Sequence, residues 1–224
     1  MTDDAPPPED LDALVARVDP DRWLSSRLIA DPEARADAIA IYAYDHELAR
    51  APRVASNPLL GEIRLTWWRE VLDETFEGRA VRRHPTAQAL AAAVRRHDLP
   101  RTSLEAMIDA RYRELDPAPM APEEALAWAR GTAGEASRLV ARRLAGAADG
   151  DKAEAAGAAW ALARRPEADR AQIEALLAQA KGVGVAAFPA AAHASLAQSY
   201  LRGRPGSDLR KRARITWAAL TGRL

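Results

Sequence analysis

Four arginines stand where this sequence otherwise places apolar side chains. In the helix expected after Asp31, the row Ile39, Tyr42, Ala43 and His46 runs on to Arg50. After Pro58, the stripe Leu60, Ile63, Trp67 and Val71, widened by Trp68 and Leu72, encloses Arg64. After Pro100, Leu104, Met107, Ile108 and Leu115 enclose Arg111, and after Pro122, Leu126, Ala133, Val140 and Leu144 enclose Arg130. Such 3.6-residue periodicity marks the inward face of a helix. A guanidinium there is costly unless it is paired or faces a wet cavity. Two arrangements satisfy that requirement. In one, Arg50, Arg64, Arg111 and Arg130 converge on a central cavity with Tyr42, His46 and Trp67 and take an anion: a phosphate, a carboxylate or a partner's acidic side chain. In the other they form an internal ion-pair network with Glu47, Asp109, Glu114 or Glu135.

Other chemistry is sparse. His46, His84, His97 and His193 lack metal-ligand spacing, and no Ser-His-Asp order, P-loop or dinucleotide fingerprint occurs. We therefore assign no catalytic residue and no metal ligand. His46, on an inward row, reads either as a satisfied core histidine or as a general base. Trp67 and Trp68 read as core or as a stacking surface for an apolar ligand. The glycines of Gly131-Thr132-Ala133-Gly134 lie inside a helical pattern, where they favour close helix packing over phosphate binding. Composition narrows the class further: 32 basic and 32 acidic residues cancel, which removes the general attraction to nucleic acid, and without cysteine there is no thiol nucleophile or disulfide framework.

The elements that must position these residues are helices. Ala, Leu, Arg and Glu dominate, and strand-forming residues are thin. Asp19-Pro20, Asp31-Pro32 and Asn57-Pro58 read as an N-cap followed by proline at the first helical position, and Gly78, Gly146 and Gly203 read as stops. The expected helices are 9–18, 20–29, 32–51, 58–77, 85–97, 102–115, 122–145, 151–164, 167–180, 188–202 and 207–222. Residues 1–10, acidic with three consecutive prolines, are expected to be a disordered lead, and 11–224 one helical domain. The opening carries neither the apolar run of a secretory signal nor the arginines of a mitochondrial presequence, and no stretch is apolar enough to cross a bilayer. In the last helix Leu209, Ala213, Thr216, Trp217, Leu220 and Leu224 form one stripe among Arg210, Lys211, Arg212 and Arg214. That stripe either packs on the body or lies on an anionic membrane.

Several stretches together carry a family resemblance: DPDRWLSSRLIADPEAR, IYAYDHELAR, LLGEIRLTWWREVLD, IDARYRELD, GTAGEASRLVARRLAG and GAAWAL. They resemble the squalene/phytoene synthase family, in its divergent branch that includes the mitochondrial respiratory complex I assembly factor and its bacterial relatives. The resemblance implies an all-α, isoprenoid-synthase-like single-domain bundle around a central cavity. Active members hold Mg²⁺ on two aspartate clusters. Here the first reads Ala49, Arg50 and Arg53, and the place of the second is taken by Ala163-Arg164-Arg165-Pro166-Glu167. Arginine offers a cation no lone pair. The resemblance thus implies a protein without cofactor and without prenyl transfer, binding a protein partner such as complex I subunits or an isoprenoid or lipid ligand. It would be cytoplasmic, with weak attachment to the inner membrane of a bacterium. The alternative is a prenyltransferase that acts on isoprenoid diphosphates and holds Mg²⁺ on Asp45, Glu47 or Asp73.

Overall fold

Three short polar caps set the helical frame at its start. Asp19 accepts from the Arg22 amide at 3.2 Å, Asp31 from the Glu33 amide at 3.1 Å, and Asn57 from the Leu60 amide at 3.0 Å. Each is followed by a proline whose missing N–H costs nothing in the first turn. In the computed structural model, which describes residues 10–53, 57–204 and 206–224, the helices are α1 (Leu11–Val18), α2 (Pro20–Ser26), α3 (Pro32–Arg53), α4 (Pro58–Phe76), α5 (Pro85–His97) and α6 (Arg101–Tyr112). They continue as α7 (Pro122–Ala129), α8 (Glu135–Ala145), α9 (Gly150–Ala163), α10 (Arg170–Gln179), α11 (Ala197–Leu201) and α12 (Asp208–Thr221). No strand occurs among the described residues. The proline-rich lead expected over 1–10 lies outside the described residues but for Asp10, which caps α1.

Helix α3 is the spine of the larger core. Its Ile41, Tyr42, Tyr44 and Leu48 are buried, and α1, α4, α5, α6 and α8 surround it. Helix α9 is the spine of the second core, and half of its residues are alanine, so its neighbours approach closely. Gly157 sets the limit. A Cβ there would lie 2.5 Å from Ser137 Oγ and meet the Ala133 carbonyl oxygen, a backbone atom that cannot move without shifting its helix. Gly157→Ala is therefore expected to destabilise the fold by about 1–3 kcal/mol through overpacking. A shift below about 0.5 kcal/mol in chemical denaturation, the range of an ordinary surface substitution, would show that the crossing is looser than this.

Two expected elements differ. The helix from 122 to 145 is interrupted by a π-helical turn, Arg130–Gly134, where Gly131 faces the Ala110 Cβ and Gly134 faces α9. The glycines thus serve close packing. The segment 188–202 is mostly two 3₁₀ turns, Phe188–Ala190 and Ala192–Leu196, with only α11 regular. Ala190 and Ala194 are buried there and Pro189 interrupts the segment.

Candidate functional site

The chain's central feature is a buried ladder of alternating charges. Asp45 on α3, 3% exposed, receives the Arg22 Nη2 donor at 2.7 Å on one oxygen and the Arg111 Nη2 donor at 2.6 Å on the other. Arg22 also donates to Asp19. Arg111 donates to Glu114 at 2.5 Å, and Glu114 accepts from the Trp128 indole at 2.7 Å. Four elements far apart in sequence, α2, α3, α6 and α7, are joined through it. Burial alone would raise the Asp45 carboxyl, but the charges of Arg111 and Arg22 outweigh it and hold the group down at about 2. The Arg22 guanidinium also lies over the rings of Tyr42 and Trp160, at 4.9 and 5.0 Å.

The ladder forms one wall of a cavity of about 320 Å³. His46 and Ala49 of α3, the π turn's Thr132 and Ala133, and Trp160 and Ala161 of α9 complete it, and Arg53, Arg164 and Arg165 stand around it. Arg164 stacks on Trp160 at 4.3 Å and Arg165 on Trp128 at 5.1 Å, and none of these three arginines enters an ion pair among the described residues. The lining therefore carries five guanidinium groups against three carboxylates, all three already engaged. Burial lowers the pKa of His46, so its imidazole is neutral near pH 7.

The cavity does not fit a Mg²⁺ centre. A hard divalent cation needs several carboxylate oxygens converging on open space, whereas both Asp45 oxygens are held by arginines. The other suggested ligands lie elsewhere: Glu47 pairs with Arg50, and Asp73 pairs with Arg101 at 2.5 Å. One His/Asp/Glu cluster, Glu33, Asp37 and His97, occurs among the described residues outside this cavity. There Arg96 and Arg143 donate to the two Asp37 oxygens at 2.5 and 2.7 Å.

Of the seven residues singled out from sequence, Arg111 and His46 line the cavity, and Tyr42 is buried behind it. The expected convergence of four arginines is corrected. Arg50, Arg64 and Trp67 border a separate groove of about 260 Å³ between α3 and α4, with Glu47, Trp68 and His84. Arg130 turns toward α9 and donates to Glu154 at 2.6 Å and to Gln179 at 2.9 Å. The physical reason is rotation of α4: its buried face is Gly61, Leu65, Trp68, Val71 and Leu72, one residue round from the stripe assumed. Leu60, Ile63 and Arg64 consequently face outward. Both arrangements weighed for the arginines occur in part, since Arg50 and Arg111 do pair with Glu47 and Glu114. Arg22, Arg53, Arg164 and Arg165 were missed as liners. Arg53 and Arg164-Arg165 were marked only as replacements of aspartate clusters, and Arg22 follows a cap that masked it.

A helical bundle of this architecture, closed around a central cavity between α2, α3, α6, α7 and α9, is the isoprenoid-synthase-like class. The chain belongs to the squalene/phytoene synthase family, whose model matches residues 15–165. Among curated proteins it is similar to NADH dehydrogenase (ubiquinone) complex I, assembly factor 6, of Bos taurus. The two are 32% identical over 103 residues, 46% of this chain and 30% of that protein. The Rattus norvegicus and Homo sapiens proteins of that name are 31% and 28% identical over the same share of each chain. The matched stretch thus spans under a third of these relatives' length.

Proposed function

We propose that this chain is a non-catalytic member of its family that assists the assembly of respiratory complex I, working without a cofactor at a membrane surface and binding an assembly partner or a lipid-like ligand. The observation that carries this reading is the state of Asp45. The carboxylate best placed to collect a metal is instead closed between Arg22 and Arg111, and the free groups beside it are cationic. Without convergent carboxylates nothing in the cavity would draw a diphosphate leaving group from its carbon by way of Mg²⁺. The similarity to complex I assembly factors supplies the biological direction. No helix among the described residues is long and apolar enough to cross a membrane.

The test has two arms. Deleting the gene in the organism that carries it is expected to lower assembled complex I on native gels and NADH:ubiquinone activity, restored by the wild-type chain. The purified protein is expected to leave farnesyl and geranylgeranyl diphosphate unconsumed with Mg²⁺. Unchanged complex I in the deletion strain would refute the assembly role, and product formation abolished by EDTA would establish the prenyltransferase instead.

A further inference from the structure

Helix α12 shows the body an unexpected face. Lys211 turns inward, its ammonium donating to Asp21 at 2.8 Å and to the Tyr200 hydroxyl at 3.1 Å. Asp21, 1% exposed, also accepts from the Trp160 indole at 3.0 Å. Ile215 and Ala218, each 2% exposed, complete the buried face. With these three positions fixed against the body, the helical part of the stripe read from sequence faces outward: Leu209 is 76%, Trp217 65% and Leu220 77% exposed, while Leu224, past the helix end, packs partly on the body. This overturns the alternative in which that stripe packs on the body.

We propose that α12 is the element by which this protein lies on an anionic lipid bilayer, with Trp217, Leu209 and Leu220 entering the interface and Arg210 and Arg212 meeting the headgroups. The proposal rests on the membrane-surface part of the function proposed above. Charge complementarity selects this occupant. Beyond Asp208 in its first turn, the helix has no acidic residue, and its exposed flanks carry arginines that enter no ion pair among the described residues. The exposed face sets Leu209, Trp217 and Leu220 between flanking arginines, which suits the headgroup layer, where a tryptophan ring is favoured. The Lys211–Asp21 pair holds this face outward from the body. The positive end of the bargain, at Arg210 and Arg212, is electrostatic and must therefore weaken with salt.

The test is co-sedimentation of the full chain with vesicles of phosphatidylcholine alone or with phosphatidylglycerol. Binding is expected only to the anionic vesicles and should fall as salt rises. Because burying a large apolar side chain shifts a partition equilibrium by about tenfold or more, Trp217→Ser with Leu220→Ser is expected to reduce binding at least that much. Arg210→Gln with Arg212→Gln should reduce binding and flatten its salt dependence. All four residues are exposed, so the variants should melt like the parent, and circular dichroism checks this. Absence of binding at low salt, or binding indifferent to both double substitutions, overturns the proposal. A parent that sediments as a dimer, and as a monomer after Trp217→Ser, would assign the face to a second copy and equally overturn it. Vesicle binding is read without complex I, so its outcome is independent of the assembly phenotype.

Discussion

Replacing Asp45 with alanine is expected to destabilise the protein by about 3–5 kcal/mol, because it leaves two buried guanidinium groups without their shared carboxylate. Arg22 and Arg111 are 4% and 3% exposed, so water cannot take its place without opening the wall. Asp45→Asn would retain the shape and one acceptor but lose the charge, and falls between the two. A variant that neutralises all five members, Asp45→Leu, Arg22→Met and Arg111→Met with Asp19→Asn and Glu114→Gln, should recover much of the loss, since apolar or neutral replacement of a whole buried ion cluster is often neutral or better, whereas leaving Asp19 or Glu114 charged would not. Urea denaturation of the three variants distinguishes these cases. An alanine effect under about 1 kcal/mol, which an exposed ion pair would give, would show that the ladder is hydrated and not a closed network. The carboxyl is held at about 2 in the fold, below its unfolded value, so its contribution is full above the ordinary carboxylate range and is lost as pH falls from there toward 2.

His193 is expected to make stability fall at a higher pH. Its ring is fully buried, edge-on to Trp160 at 5.1 Å, and neither ring nitrogen has a partner among the described residues. Burial first, then the positive charges of Arg22 and Arg164, push its pKa down to about 3, with Asp21 opposing. The fold therefore binds the neutral ring, while the unfolded chain takes up a proton near 6.5. Stability from this group is complete above about pH 6.5 and falls by about 1.4 kcal/mol per unit as pH drops toward 3. By pH 4.5 the loss is about 2–3 kcal/mol. Asp21 and Asp45 are both held below their ordinary values, so their losses come in a lower window. His46, also lowered, adds a smaller slope in the same range, being only partly buried. Denaturation of the parent and of His193→Leu at pH 7 and 4.5 separates the term. The variant should keep its stability between the two pH values to within the remaining slopes of His46 and of Glu154, whose carboxyl burial raises and which therefore acts with the opposite sign, and an undiminished slope would show that His193 stays neutral in the unfolded chain or charged in the fold.

What could be read from the sequence was local. The caps at Asp19, Asp31 and Asn57 with their following prolines placed helix starts correctly, since a cap and the first turn involve only adjacent residues. The resemblance carried by YAYDHELAR and its companion stretches led to the family, and the arginines at 53, 164 and 165 marked where aspartate clusters were missing. The tertiary structure decided which face of each helix turns inward, and hence which arginine meets which carboxylate. On α4 the sequence offers two overlapping apolar stripes, and the buried one is chosen where Gly61 lets Leu115, Ala51 and Pro52 come close. On α12 the choice falls to Lys211, because its carboxylate lies 190 residues away at Asp21. Asp45 likewise gathers Arg22 and Arg111 from 23 and 66 residues away. Helical periodicity fixes a face only relative to its own axis, and rotation about that axis is set by long-range contacts that local sequence does not contain.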